Sequence, residues 1–258
     1  MLRFGIWNLK LAPDPARPRG HEMIALAQDC DADIWLFTEI HVDWRLPGYA
    51  RAISGPRSTG PERKRWAGIA CRDSFDMIIP PIDGSGPADE GLCMARLRPK
   101  GTDGPGLLVA CSVLPWANTV DGWPSLHEPG RFDRFADRFR YVTDTHIEHM
   151  RREHQEGEIL IWGGDFNESL SGRTLLSKAG RAILVDALDK LAVTALTTSA
   201  RHLVDGVCSI DHVAVSTQSV ESSQVRVVTR NDDPRQTSDH ALYLVDVALK
   251  PTDVTGWP

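Results

Sequence analysis

No apolar run in this 258-residue chain approaches the roughly 20 residues that a bilayer-spanning helix needs, so membrane insertion is not expected. A cleavable leader is not expected either. Leu2-Arg3-Phe4-Gly5-Ile6-Trp7-Asn8 reads as structure from the second residue, with no charged region or cleavage site ahead of it. Cysteine is scarce: five residues (Cys30, Cys71, Cys93, Cys111 and Cys208), odd in number, scattered and mostly in apolar stretches. That pattern argues against a disulfide framework and against a zinc site on paired cysteines. It fits buried thiols in a reducing compartment, by default the cytoplasm. Basic charge is also short. A formal net charge of −6 excludes a protein that coats nucleic acid through a generally basic surface, yet suits an enzyme that meets phosphate through a bound cation and a few local arginines. Repeats, low-complexity tracts and long linkers are missing, so a single domain over residues 1–250 is expected, with 251–258 as a C-terminal tail.

What is present is ordinary for a soluble globular chain: 41% hydrophobic and 25% charged residues. Short runs rich in β-branched residues, bounded by Gly, Pro, Asp and Ser, predict strands at Leu2–Asn8, Asp33–Glu39, Gly68–Cys71, Met77–Ile79, Gly91–Leu97, Gly106–Ser112, Glu158–Gly163, Ser209–Ser216, Val225–Thr229 and Leu242–Val247. Apolar residues three or four apart predict a long helix between Arg131 and His154. Shorter helices are expected near His21–Gln28 and Ser171–Ala179. Ser54–Arg65, Ile82–Asp89, Trp116–Gly130 and Arg230–Thr237 read as loops. Many strands without strict βαβ alternation favour an α/β (α+β) architecture of two packed sheets flanked by helices.

Four segments put acids, amides and a histidine at the ends of apolar runs. Ile34-Trp35-Leu36-Phe37-Thr38-Glu39 ends in a carboxylate. Ile159-Leu160-Ile161-Trp162-Gly163-Gly164-Asp165-Phe166-Asn167 carries two glycines, which let the backbone approach a ligand closely. Asp211 opens a third run, and Asp239-His240 precedes the last. Hydrolysis of a phosphate ester needs its oxygens neutralised, a water activated and the leaving oxygen stabilised. Magnesium takes hard oxygen ligands and keeps waters, so one or two carboxylates from separate segments place it. A histidine paired to a carboxylate stabilises phosphorane-like charge or manages a proton.

Trp7-Asn8-Leu9, Phe37-Thr38-Glu39, Gly164-Asp165-Phe166-Asn167, Ile210-Asp211-His212 and Ser238-Asp239-His240 resemble the ordered signature of the endonuclease/exonuclease/phosphatase superfamily, from residue 3 to about residue 248. That superfamily includes abasic-site endonucleases, pancreatic-type deoxyribonuclease, inositol-polyphosphate 5-phosphatases and sphingomyelinases. The resemblance implies a four-layered α/β sandwich, two mixed β-sheets packed face to face with helices outside. It also implies Mg²⁺ (or Mn²⁺) at Glu39, with Asn8 arranging that site and Asp239 as a ligand or a supporting carboxylate. Asp165 would orient or deprotonate the attacking water, Asn167 would contact the scissile phosphate, and His240 would contact the phosphate while paired to Asp211.

The chain departs from that pattern in two places. Aligned on Pro115, Ser112 stands where the family's nucleases carry a further histidine, and a serine is no general acid at neutral pH. His127 in the following loop is a substitute to consider. Thr38 replaces the glutamine that usually precedes the metal glutamate, a smaller loss because both side chains hydrogen-bond. Around the site, Arg63, Lys64 and Arg65 on a basic loop are candidates to meet a substrate phosphate, or form a solvated loop. Trp116 and Trp123 either stack on a base or pin a Pro-rich loop. His146, His149 and His154 read as surface residues of the long helix. The expected activity is a metal-dependent phosphodiesterase or nuclease acting on nucleic acid or nucleotides. A phosphomonoesterase or phospholipase-like hydrolase, and a degenerate member that only binds its phosphorylated ligand, remain alternatives.

Overall fold

The apolar runs form strands β1 (Leu2–Asn8), β2 (Ile34–His41), β3 (Tyr49–Ile53), β4 (Lys64–Arg72), β5 (Phe75–Ile78), β6 (Leu92–Pro99), β7 (Leu107–Val113), β8 (Ile159–Asp165), β9 (Val193–Ala195), β10 (Asp211–Ser216), β11 (Val220–Val227) and β12 (Tyr243–Leu249). Helices α1 (Pro18–Cys30), α2 (Phe135–Glu153) and α3 (Lys178–Lys190) lie between them. These elements come from a computed structural model that describes residues 1–11, 14–82, 86, 89–101, 104–116, 123, 126, 132, 134–173, 177–228 and 237–250.

The strands make two six-stranded sheets, ordered β11-β12-β1-β2-β4-β3 and β5-β6-β7-β8-β10-β9. Both are mixed, because β1 pairs with β2 and β7 with β8 in parallel while the other pairings are antiparallel. The period-2 alternation of a strand decides what each face meets. Phe4, Ile6, Ile34 and Leu36 point inward and meet Val109, Ile161 and Val213 of the other sheet. Trp7, Trp35 and Phe37 point outward and are covered by Met23 and Ala27 of α1. On the far side, Leu108, Leu160 and Trp162 face Phe139, Val142 and Leu184 of α2 and α3. Helix, sheet, sheet and helices therefore stack as four layers. Strands buried on both faces lose the polar alternation of an exposed sheet, which is why Ile34–Phe37 and Ile159–Trp162 read as continuous apolar runs. Each fully buried side chain of this size contributes roughly 1.5–3 kcal/mol of transfer free energy.

Several expectations need correction. The helix expected at Ser171–Ala179 begins only at Lys178. Ser177 caps it by accepting from Gly180 N at 2.8 Å, and Arg181 ties the preceding loop by donating to the carbonyls of Ser169, Ser171 and Gly172. Strands β3 and β9 lie at or next to sheet edges and lack a long apolar run, and β11 starts at Val220 because it pairs along β12 as a mostly exposed edge. His146 and His149 are buried. His146 Nδ1 lies 3.1 Å from Ser112 Oγ, and His149 Nε2–H donates to Asp89 at 2.7 Å. Only His154 of the three is exposed. The tail 251–258 and His127 lie outside the described residues. Among the described residues no helix is long and apolar enough to cross a membrane.

Candidate active site

Asn8, Glu39 and Asp165 stand at or near the C-terminal ends of β1, β2 and β8, Asp211 opens β10, and His240 sits just ahead of β12. All five share one end of the sandwich, where the two sheets converge. Asn8 joins them: its Nδ2 donates to Asp165 Oδ2 at 2.8 Å and to Glu39 Oε1 at 3.2 Å. Asn167 N donates to Asp165 Oδ1 at 2.9 Å, so both oxygens of that carboxylate are held. His240 Nδ1 lies 2.9 Å from Asp211 Oδ2, and its Nε2 is 4.0 Å from Asp165 Oδ2. Ser238 fixes the loop from beneath, donating from its hydroxyl to Asn8 O at 2.6 Å.

The backbone is strained at two of these positions. Glu39 and Asn167 both take φ of 54°, the left-handed region that side chains other than glycine rarely occupy. Gly164, at φ 130°, is needed for a different reason than the one its position suggests. A Cβ there would lie 1.9 Å from Ser112 O, and one at Gly163 would lie 2.5 Å from His212 O. The paired glycines let neighbouring strands close in on β8 and do not open a path to a ligand.

Electrostatics bind the group together. Burial raises the Asp165 carboxyl to about 7, reinforced by the carboxylates of Asp211 and Glu39. Burial opposes charge on His240, but Asp211 and Asp165 outweigh it and hold the imidazole protonated, its pKa pushed up to about 10. Three carboxylates face one imidazolium, and Asp211 Oδ1 is buried without a hydrogen-bond partner among the described residues. The carboxylate oxygens of Asp165 and Asp211 and a ring nitrogen of His240 lie within 4.8 Å of one another, and with the ring protonated the oxygens are the atoms open to a cation. This surplus of hard oxygen and negative charge fits a divalent cation, with half-buried Glu39 the carboxylate open to it.

The other expected residues are placed unevenly. Asp239 is exposed and its carboxylate pairs with Lys10 Nζ at 3.0 Å. Asn167 Nδ2 donates to Leu114 O at 2.9 Å, which leaves its second amide hydrogen uncommitted to that contact. Arg65 is half-buried at the start of β4, where Lys64 and Arg65 pair with β2 and are not part of a loop as expected, and it donates to Glu62 O and Lys64 O. Trp116 packs against Trp66 and Trp123 with centroids 5.6 and 5.9 Å away, and Trp123 is fully buried, so the latter is a packing residue. Thr38 Oγ1 is buried with no hydrogen-bond partner among the described residues, so it does not replace the amide of a glutamine. Ser112 faces the helix layer, near His146 and accepting from Trp162 Nε1 at 2.9 Å. Val113 is the register partner of Asp165.

Sequence reasoning missed His202. Its ring lies 5.9 Å from that of His240 at 72°. Its Nδ1 accepts from Val204 N at 3.0 Å, which leaves the proton on Nε2, and that nitrogen is buried without a partner among the described residues. Nothing in the sequence marks it, since it sits in an irregular segment nine residues ahead of Asp211.

The sequence model of the Endonuclease/Exonuclease/phosphatase family matches residues 5–240. No curated protein matches the chain by sequence. Among solved structures, the endonuclease domain of TRAS1, a telomere-specific non-LTR retrotransposon, is 15% identical with a TM-score of 0.64, covering 97% of this chain and 100% of that one. The human Nocturnin catalytic domain is 14% identical with a TM-score of 0.65, covering 96% and 94%. An AP endonuclease from Archaeoglobus fulgidus is 12% identical with a TM-score of 0.62, covering 96% and 99%. At these identities the likeness is one of fold.

Proposed function

The chain belongs to the endonuclease/exonuclease/phosphatase family, whose members are phosphoesterase hydrolases, and from that premise we propose that it is a divalent-metal-dependent phosphodiesterase acting on nucleic acid or nucleotides. The observation that carries this reading is the double hold on Asp165. Asn8 Nδ2 and Asn167 N fix its two oxygens at 2.8 and 2.9 Å, 4.0 Å from a protonated His240 that is itself paired to buried Asp211. A carboxylate whose pKa is raised toward neutrality, fixed beside a cationic donor, is suited to orienting a water and taking its proton.

In this reading Glu39 holds Mg²⁺ or Mn²⁺, with Asn8 setting the orientation of its carboxylate and Asp239 standing outside it. When bound, the cation neutralises charge on the phosphate and leaving oxygens. Asp165 aligns the attacking water. His240 donates to a phosphate oxygen while Asp211 keeps its ring charged and oriented. Asn167 contacts the same phosphate through the rest of its amide. His202 Nε2–H supplies a further neutral donor, the role for which Ser112 is turned the wrong way. Arg65 and Trp116 line the rim on which the remainder of the substrate rests. The five free thiols, four of them buried, support a reducing, cytoplasmic setting.

Hydrolysis of bis-p-nitrophenyl phosphate with Mg²⁺ or Mn²⁺, compared with Asp165→Ala, tests the proposal. Turnover by the wild type, lost by a factor of about 10³ or more in the variant, is expected. If both proteins are inert while ligand binding survives, the chain is a binding member of its family and the enzymatic reading falls.

A further inference from the structure

At the same end of the sandwich lies a cavity of ≈ 720 Å³, between the segment that follows β3 and the start of β6. The registers place it at the end of the sheets that carries the carboxylates. β4 begins opposite the end of β2, with Lys64 across from His41, and β6 begins with Leu92 across from Ser112, one residue before the partner of Asp165. Ile53, Pro81, Ile82 and Met94 give the cavity apolar walls, and its charged lining is Arg57, Glu90 and Asp89, the last held by His149 Nε2 at 2.7 Å.

Arg57 is built in an unusual way for a residue of a basic loop. Its guanidinium carbon lies 3.6 Å from the centroid of the Trp66 ring, and Trp66 is wedged against Trp116 and Trp123. Its Nε and Nη1 are buried and have no hydrogen-bond partner among the described residues. Burial lowers its pKa, while the charges of Glu39 and Glu90 pull the other way, so the cation lies within electrostatic reach of the metal glutamate. A guanidinium whose plane is fixed on an indole and which is short of acceptors is suited to pair with a phosphate oxygen. Glu90 shapes the rest of the occupant. One of its oxygens already accepts from Ser58 N at 2.7 Å, and a carboxylate in an apolar wall suits a ring bearing N–H donors better than an acyl chain.

We propose that this cavity binds the nucleotide flanking the scissile phosphodiester, with its phosphate against Arg57 and its base between Pro81, Ile82 and Met94. This rests on the phosphodiesterase reading above and narrows it to substrates with at least two phosphates along a nucleotide chain. Bis-p-nitrophenyl phosphate has only the scissile phosphate, so it offers no flanking phosphate to Arg57.

The experiment uses the full chain as wild type, Arg57→Gln, Arg57→Lys and Ile82→Trp. Binding of a fluorescein-labelled thymidine single strand is read by anisotropy in EDTA, and kcat/KM with Mn²⁺ is read on that strand and on bis-p-nitrophenyl phosphate. Arg57→Gln and Ile82→Trp should each weaken strand binding about tenfold or more and lower the ratio of the two kcat/KM values by a similar factor, with Arg57→Lys recovering only part. Retained turnover of the small diester shows that a variant is folded. The proposal is overturned if strand binding and the ratio stay within about twofold of wild type in both variants. It is equally overturned if binding to phosphatidylserine vesicles is lost while strand binding is kept. A wild type inert on both substrates would sink the phosphodiesterase reading, and the anisotropy series would still decide the subsite.

Discussion

His240 Nδ1 stands 2.9 Å from Asp211 Oδ2, and that contact joins the loop ahead of β12 in one sheet to the first residue of β10 in the other. The carboxylate is wholly buried, so its charge reaches the imidazole with little screening. With it the ring stays protonated up to about pH 10, whereas burial alone would push the pKa below the ordinary value. Asp211→Asn keeps the shape and removes the charge. The variant should lose its charged donor as pH rises past about 6.5, the ordinary histidine value, while the wild type keeps it across the neutral range. At pH 8 a loss of about 10²–10⁴ in kcat/KM is expected, smaller at pH 5.5. Parallel pH profiles of the two proteins would contradict this assignment.

The cation reading has a test that needs no substrate. Burial and the neighbouring carboxylates of Asp211 and Glu39 keep the Asp165 carboxyl near 7, which marks a centre short of positive charge. A divalent ion bound to the folded state alone stabilises it by about 2.7 kcal/mol at a hundredfold excess over Kd. Mn²⁺ should therefore raise Tm by several degrees in wild type, and Glu39→Gln should abolish most of that shift. An equal rise in both proteins would mean that the ion binds elsewhere.

His202 should matter to rate more than to fold. Among the described residues its Nε2–H lacks a partner, its ring abuts His240 and its Nδ1 accepts from the exposed Val204 N, so removing it deletes a donor without orphaning a buried group. His202→Ala should cost about 10- to 100-fold in kcat with Tm nearly unchanged, the low end of what losing one positioned donor costs. A loss confined to KM, or a drop in Tm large enough to explain the rate, would make the residue a packing element.

The legible part of this protein was its ordered short motifs and its doubly buried strands. Asp165 and Glu39 stand at or near the ends of runs whose apolarity comes from burial on both faces and His240 precedes another, so the pattern and the site share one cause. Residues held by tertiary contact were not legible. His146 lies on a helix dense in charge, yet it is buried because Ser112 and Gly91 stand across from it, and no local period records that. The sequence predicts helix α3 too early, from Ser171, in a segment where Ser169 and Ser171 are both held by tertiary contacts. Their hydroxyls are spent on the carbonyls of Arg173 and Thr198, and the cap falls to Ser177. The sequence favours Arg63, Lys64 and Arg65 over Arg57 because composition ranks a basic stretch by density and says nothing of which arginine lies on a tryptophan.

His212, next to Asp211 in the chain, should govern acid stability instead of catalysis. It is wholly buried, its Nε2–H donates to Glu168 O at 3.0 Å, and its Nδ1 lies 3.0 Å from Thr197 Oγ1. Burial drops its pKa to about 4. Between pH 6.5 and 4 the unfolded chain binds a proton that the folded one refuses, so stability is full above 6.5 and falls as pH drops, by about 3 kcal/mol. In urea titrations at pH 7 and pH 4.5, His212→Asn should be weaker than wild type at pH 7 but lose less on acidification. The same acid loss in both proteins would assign the effect to other groups.

Gly164 tests whether the site depends on how closely two strands approach. At φ 130° the backbone adopts a conformation that side chains avoid, and a Cβ would sit 1.9 Å from Ser112 O, a backbone atom that cannot swing away. Two routes of relief exist: β7 moves outward, breaking its parallel register with β8, or the chain at residue 164 flips and carries Asp165 with it. Either one separates Asp165 from the Asn8 amide 2.8 Å away. Gly164→Ala should therefore cost about 3 kcal/mol or more in stability and remove turnover as thoroughly as Asp165→Ala. Gly101→Ala is the control. It shares a positive φ, 69°, with nothing within 4 Å of the added methyl, so it carries the conformational penalty alone, about 1 kcal/mol. Equal destabilisation by the two substitutions in urea unfolding would show that conformation, and not strand contact, sets the cost at residue 164.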